Sequence, residues 1–233
     1  MSPRFALDFE TCPDQRLPGK NNALRSEDGA RVAGIALAWI EDDRIESAYA
    51  PIRHWRYTAG GKQLNPAFAL GKLDALVRAM DDDQMIIVHN LQMELAFMLA
   101  EGVAWPKKGQ LGDIMIAARV LNMGVGWREL IGLKPMQQEY LGRDMTSKND
   151  MDVWLRKHKF KPGRDIWRAP VALASFYAQD DARDTLIMWN KWEKGVAQPS
   201  TDWWWYRAPD KRYRKDLYEL EIETAVQACL CAL

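Results

Sequence analysis

Cysteine and histidine are scarce, three of each in 233 residues. Cys12, Cys229 and Cys231 have neither the spacing of a zinc site nor the makings of a disulfide framework, which suits a reducing, cytoplasmic setting. His54, His89 and His158 lie too far apart to suggest a histidine-built metal centre. Charge of one sign is not in excess either: 32 basic residues balance 32 acidic ones, so the net charge does not advertise a polyanionic partner. No uninterrupted apolar run of about 18 residues is present, which argues against a membrane span. No basic and apolar leader precedes the first strand, so no signal peptide is expected. Internal repeats, low-complexity tracts, a Walker-type phosphate loop and a Gly-x-Ser-x-Gly turn are all missing.

What remains is the composition of an ordinary globular chain. Apolar residues make up 48%, enough for a sizeable core, and the length suits one large domain with or without an appendage. Tryptophan is the exception, with eleven in all and three in a row at Trp203, Trp204 and Trp205.

Short β-prone runs at 4–9, 31–40 and 44–52, divided by polar or Gly/Pro-containing turns, predict a strand meander. Asn65 and Pro66 then open a helix as N-cap and first residue, and apolar positions at helical spacing carry it to Met80. Residues 84–90 predict a compact buried strand, and 91–102 a helix closing on Gly102. Further helices are expected at 111–121, at 127–141, from Pro170 to about Glu193, and over 211–233. The basic stretch 156–168 reads as a loop. Strands first, helices later and one strand–helix unit between them predict an α/β fold on a mixed sheet. The chain divides into a main domain over 1–195 and an appendage over 196–233 made of an aromatic-rich linker and a C-terminal helix.

The acids are oddly placed. In "LDFET", Asp8 and Glu10 end an apolar strand and project from the same face, where two carboxylates repel unless a proton or cation lies between them. On the long helix, Asp180, Asp181 and Asp184 fall on or beside the apolar face of Leu173, Phe176, Tyr177, Ile187 and Met188. Carboxylates in a core-facing stripe are costly without compensation, and a shared cation is an economical one. An oxygen-only ligand set suits Mg²⁺ or Mn²⁺. The helical wheel does not choose among the three aspartates. Finally, Asn90 ends a buried strand and Glu94 follows one turn into the next helix. That pattern also fits an ordinary cap and a helix-dipole acid.

Together "LDFET" (7–11), "IIVHNLQMEL" (86–95) and "YAQDDARDTL" (177–186) resemble the three exonuclease motifs of the DEDD superfamily, in order and at familiar separations. The likeness is to the proofreading 3′→5′ exonuclease domain of family A DNA polymerases, the DNA polymerase I type, in its tyrosine variant. "AYAPIRH" (48–54), "GDIMIAARVLN" (112–122) and "LYELEIETAVQACL" (217–230) extend it over almost the whole chain, with residues 196–233 belonging to the same domain or forming a stub toward a polymerase domain. The resemblance implies a ribonuclease H-like mixed β-sheet flanked by helices. It matches Asp8 and Glu10 to the first motif's acids, Asn90 to the second motif, and Asp181 with Tyr177 to the third. A histidine-type relative would carry its histidine where Phe176 stands. One position departs: the second motif's aspartate is Glu94 here, one methylene longer.

Such a site implies hydrolysis of the terminal phosphodiester of single-stranded or frayed DNA, releasing nucleoside monophosphates with two Mg²⁺ or Mn²⁺ ions. Asp8, Glu10, Glu94 and Asp181 are the expected metal ligands, and with Tyr177 the expected catalytic set. Asp8 would bridge both ions, Glu10 and Asp181 would complete the ion that activates water, and Glu94 would serve the leaving group. Tyr177 and Glu10 would orient the water. Thr11 and Asn90 are expected near the terminal nucleotide. Lys161 and Arg164, with Lys157, Lys159 and Arg168, are placed to follow phosphates. The expected partners are DNA 3′ ends and a separately encoded polymerase, in a phage or bacterial replication system and away from membranes. Two alternatives share the pattern: an RNA 3′→5′ exonuclease, and a non-catalytic 3′-end-binding or polymerase-supporting module whose site has decayed at Glu94.

Overall fold

The computed structural model describes residues 4–14, 23–55, 62–121, 132–143, 146–197 and 219–227. Three strands form a meander, β1 (Arg4–Cys12), β2 (Arg31–Glu41) and β3 (Arg44–Pro51), as the alternating apolar pattern predicts. A tight turn at Asp42 and Asp43, both in the left-handed region, joins β2 to β3. Helix α1 (Pro66–Arg78) follows with the expected cap: the Asn65 side chain accepts from the Ala67 N–H at 2.9 Å, and Pro66 occupies the first turn.

Strand β4 (Met85–Val88) then runs parallel to β1, and helix α2 (Leu91–Ala100) leaves its end. The helix predicted over 111–121 starts late. Its first three residues are β5 (Leu111–Asp113), which pairs with β4, and only then does α3 (Ile114–Leu121) begin. A three-residue strand among helix formers leaves no periodic signal, and its pairing with β4 decides it. The sheet order is β3-β2-β1-β4-β5, antiparallel through the meander and parallel from β1 to β5. This is an α/β fold on a five-stranded mixed sheet flanked by helices, in keeping with the ribonuclease H-like expectation.

Of the helix predicted over 127–141, α4 (Leu133–Leu141) is present, and 122–131 lies outside the described residues. The basic stretch 156–168 is a loop only between Lys157 and Ile166, because α5 (Thr146–Lys157) runs into it and a 3-10 turn over Ile166–Arg168 closes it. The long helix is α6 (Val171–Ala197). Residues 219–227 are helical, whereas the linker with Trp203, Trp204 and Trp205 and the rest of the predicted last helix fall outside the described residues. Among the described residues no helix is long and apolar enough to cross a membrane.

The two faces of the sheet are packed differently. Leu7, Phe9, Ile35, Ile86 and Val88 meet Leu70 and Leu73 of α1 and Leu91, Leu95 and Phe97 of α2 in one large core. On the other face Ala6, Ala36 and Ala38 meet Ala178, Ala182, Leu186 and Met188 of α6. Alanine against alanine lets the helix lie close to the sheet. Phe176, expected on the apolar face, points outward and is 58% exposed. The buried stripe is built on small residues instead, and these weigh little in a hydrophobic wheel.

Candidate active site

β1, β4 and β5 run parallel, and the acids gather where these strands end, the side on which open α/β sheets ordinarily bind ligands. Asp8 pairs across to Ala36, and Ala36 pairs to Tyr49 on β3. Glu10 pairs to Gly34, just before a register shift at Glu10/Thr11 that releases β1 from strict pairing. Asp8 is half-buried and Glu10 is buried. Both point toward α6, alternating with Leu7 and Phe9 of the opposite core.

Glu94 reaches the same place from the first turn of α2. It is buried, and its Oε2 has no hydrogen-bond partner among the described residues. Burial, reinforced by the charges of Asp8, Glu10 and Asp113, raises its carboxyl well above the usual carboxylate range, against the opposing pull of a hydrogen bond from the Phe9 backbone. Tyr177 responds to the same charges: burial first, then Glu10 and Asp8, push its phenol upward. Asp8, Glu10, Glu94 and Tyr177 therefore share one electrostatic environment. Asp181, one turn beyond Tyr177 on α6, is buried and accepts a hydrogen bond from the Gln137 side-chain amide at 2.9 Å. Asp184 is buried too, but is engaged by Arg143, whose Nη2 lies 2.6 Å from its Oδ1. Asp180 is half-buried on the same helix.

The other expected positions are occupied as follows. Thr11 is buried, and its hydroxyl donates to the Ala23 carbonyl, tying the end of β1 to the residues before β2. Asn90 takes the left-handed conformation (φ 72°) and makes no side-chain cap. The capping is done by Asp113 at the end of β5. Its carboxylate accepts from the N–H groups of Asn90 (3.3 Å) and Leu91 (2.7 Å) at the start of α2, and from Met115 (2.7 Å) and Ile116 (3.3 Å) at the start of α3. One buried acid thus serves two helix N-termini, although burial raises its pKa. Asp-Ile-Met before an apolar helix is a recognisable N-cap pattern, hidden here by reading the helix from Leu111.

Lys161 is exposed, on a turn in which its N–H donates to Asp165 Oδ2 at 2.8 Å. Arg164 is half-buried on the same turn. Arg168 is stacked rather than extended, its guanidinium carbon 5.1 Å from the Trp55 ring centre, 4.9 Å from Phe160 and 4.8 Å from Trp167. This segment borders the site: Trp167 packs with Cys12 at the end of β1, and Phe160 and Trp154 pack in the cluster that includes Tyr177.

Tyr49 is a site neighbour that the motifs do not mark. Its phenol lies where a Cβ on Gly34 would be, 1.8 Å from that position, so a side chain opposite Glu10 would displace the Tyr49 ring. The hydroxyl is 2.6 Å from His54 Nε2. Burial and the charges of Glu10 and Asp8 push this phenol upward as well. His54 is buried, and that burial lowers its pKa to about 4, so it is neutral at pH 7.

The donor set suits a hard divalent cation, being all oxygen, and the partnerless buried Oε2 of Glu94 is the group such an ion would satisfy. As the side chains stand, no three His, Cys, Asp or Glu residues among those described are grouped closely enough to hold an ion.

No protein-family model matches the chain. Over 199 residues, 83% of its length, it is 27% identical to a protein of Pseudomonas phage M6 named as a DNA-directed DNA polymerase. The stretch matched is 27% of that protein, so the chain spans about a quarter of its relative's length. The chain is thus similar, over most of its residues, to one part of a phage DNA polymerase.

Proposed function

We propose that this chain is a metal-dependent 3′→5′ exonuclease that removes nucleoside monophosphates from single-stranded or frayed DNA 3′ ends. The observation that carries this is the convergence of Asp8, Glu10 and the buried, partnerless Glu94 Oε2 beside Tyr177 at the ends of parallel strands. A fold that merely capped α2 would expose Glu94 to solvent, where its charge would cost little. Similarity to part of a phage DNA polymerase favours DNA as substrate, with proofreading beside a polymerase as the setting.

Asp8, Glu10, Glu94 and Asp181 would hold the divalent ions. When bound, two such ions supply the charge that acidifies the attacking water and neutralises the leaving oxygen. Tyr177 positions that water by a hydrogen bond, its raised pKa keeping the phenol protonated as a donor. Glu10 accepts from the same water and fixes its line of attack on phosphorus. Asn90, whose side chain is not spent on capping, and Thr11 at the end of β1 border the terminal nucleotide. Lys161 and Arg164, on the turn beside Trp167 and Phe160, meet the phosphates behind it.

The test is incubation of 5′-labelled single-stranded DNA and RNA with the protein in Mg²⁺, Mn²⁺ or EDTA. A DNA ladder shortening from the 3′ end and abolished by EDTA is expected. Shortening of RNA alone would move the activity to the RNA exonuclease class. Binding of 3′ ends without shortening in either metal would make the chain a non-catalytic module.

A further inference from the structure

Both expected functional residues of α6, and the aspartate after them, meet a partner from one short stretch, residues 134–143. Lys134 Nζ lies 5.6 Å from the centre of the Tyr177 ring. Gln137 Nε2 donates to Asp181 Oδ1 at 2.9 Å. Arg143 donates twice to Asp184 Oδ1, from Nη2 at 2.6 Å and from Nε at 3.2 Å. Gln137 has no solvent exposure at all, and Asp181 is 4% exposed.

A buried amide is costly unless partnered, and leucine or methionine at 137 would pack α4 on α6 without that cost. The chain instead places its amide on Asp181. The two partners differ in a way that matters chemically. Arg143 neutralises Asp184, so the charge of that acid is already matched within the protein. Gln137 donates a hydrogen bond yet carries no charge, so it orients Asp181 without itself neutralising it. A carboxylate that ligates a metal is ordinarily held by such a neighbour. These two partners, from α4 and its end, thus differ in charge, a neutral amide for Asp181 and a guanidinium for Asp184.

We infer that Gln137 is a positioning residue for Asp181, fixing the rotation in which that carboxylate meets a divalent ion, and that α4 is the element that aligns the α6 half of the site. The inference rests on the function proposed above and concerns a residue outside the three motifs.

Gln137→Met keeps the length of the side chain and removes the donor. Mn²⁺ titration by calorimetry, with thermal melts in EDTA as the control for folding, should show binding weakened about 10- to 100-fold. The metal-free melting temperature should fall by a few degrees, because the buried Asp181 carboxylate loses a donor, so binding is compared well below both transitions. Gln137→Leu provides the same comparison should the methionine variant melt early. Arg143→Met should lower the melting temperature without weakening Mn²⁺ binding. If Gln137→Met and Gln137→Leu bind Mn²⁺ as tightly as the unsubstituted protein while Asp181→Asn does not, the inference falls and the proposed function stands. If the unsubstituted protein binds no Mn²⁺, both fall together.

Discussion

The two faces of the central sheet set stability against function. Beneath β1 lie Leu7 and Phe9, packed on large aliphatic and aromatic side chains of α1 and α2. Above it lie Asp8 and Glu10, with alanines on either side and α6 pressed close. Burying a Leu, Val or Phe contributes about 1.5–3 kcal/mol, so the lower face holds the fold together. The upper face holds Tyr49 and Tyr177, which burial penalises, and Glu94, penalised likewise, comes to them from α2, a helix of the lower core. The alternation of β1 separates the two roles, and α2 joins them, with Leu95 in the lower core and Glu94 at the site.

The largest expected effect tests the upper face. Under the proposed function, Asp181→Asn should reduce the exonuclease rate by at least about a thousandfold, since it removes the charge of a proposed metal ligand. Its melting temperature should stay within a few degrees of the unsubstituted protein. If Asp184→Asn were the inactive variant instead, the assignment of α6 would be wrong, because the Asp184 charge is already matched by Arg143.

On the lower face, Leu73→Ala should cost about 2–5 kcal/mol of stability in urea denaturation. The turnover of its folded fraction should not change. A loss of turnover there would mean that the two faces are coupled.

Tyr177→Phe removes the hydroxyl proposed to position the attacking water. A 10- to 100-fold fall in kcat is expected, roughly 1.4–2.7 kcal/mol of transition-state stabilisation, with the fold intact.

Two further effects concern pH. His54 is held neutral, with a folded pKa of about 4 against 6.5 for the free side chain. Because its folded pKa is depressed, its contribution to stability is complete above pH 6.5. That contribution is lost as pH falls toward 4, up to about 3 kcal/mol by linkage. Melting curves of His54→Gln should be flatter than those of the unsubstituted protein across that window. Glu94 has the opposite sign. Its folded pKa is raised, so its ionisation destabilises the metal-free fold as pH rises. Glu94→Gln should therefore raise the melting temperature in EDTA at neutral pH while lowering activity, a trade typical of functional acids. Unchanged activity would reduce Glu94 to a helix-dipole partner.

Much of this was legible in the chain itself. The alternation of "RFALDFETC" is enough to place Asp8 and Glu10 together, and Asn65–Pro66 is enough to start α1, because both signals are local. Asp113, Tyr49 and Gln137 were not legible. Asp113 caps a helix 22 residues earlier in sequence as well as its own. Tyr49 reaches the site only because Gly34 on the neighbouring strand lacks a Cβ. Gln137 meets Asp181 across 44 residues of chain.

By itself the sequence determined the strands of the meander, the capped start of α1, and a set of acids at spacings that put each pair or turn on one face. Those are properties of backbone periodicity, and they hold wherever the segments sit in space. The tertiary structure alone decided that β5 exists, that α6 approaches the sheet through alanine, and that Asp181 and Asp184, three residues apart on one helix, have different fates. The physical reason is that burial and partner charge arise between segments: a neutral amide beside one carboxylate and a guanidinium beside the other are set by the packing of α4 on α6, which no local pattern encodes.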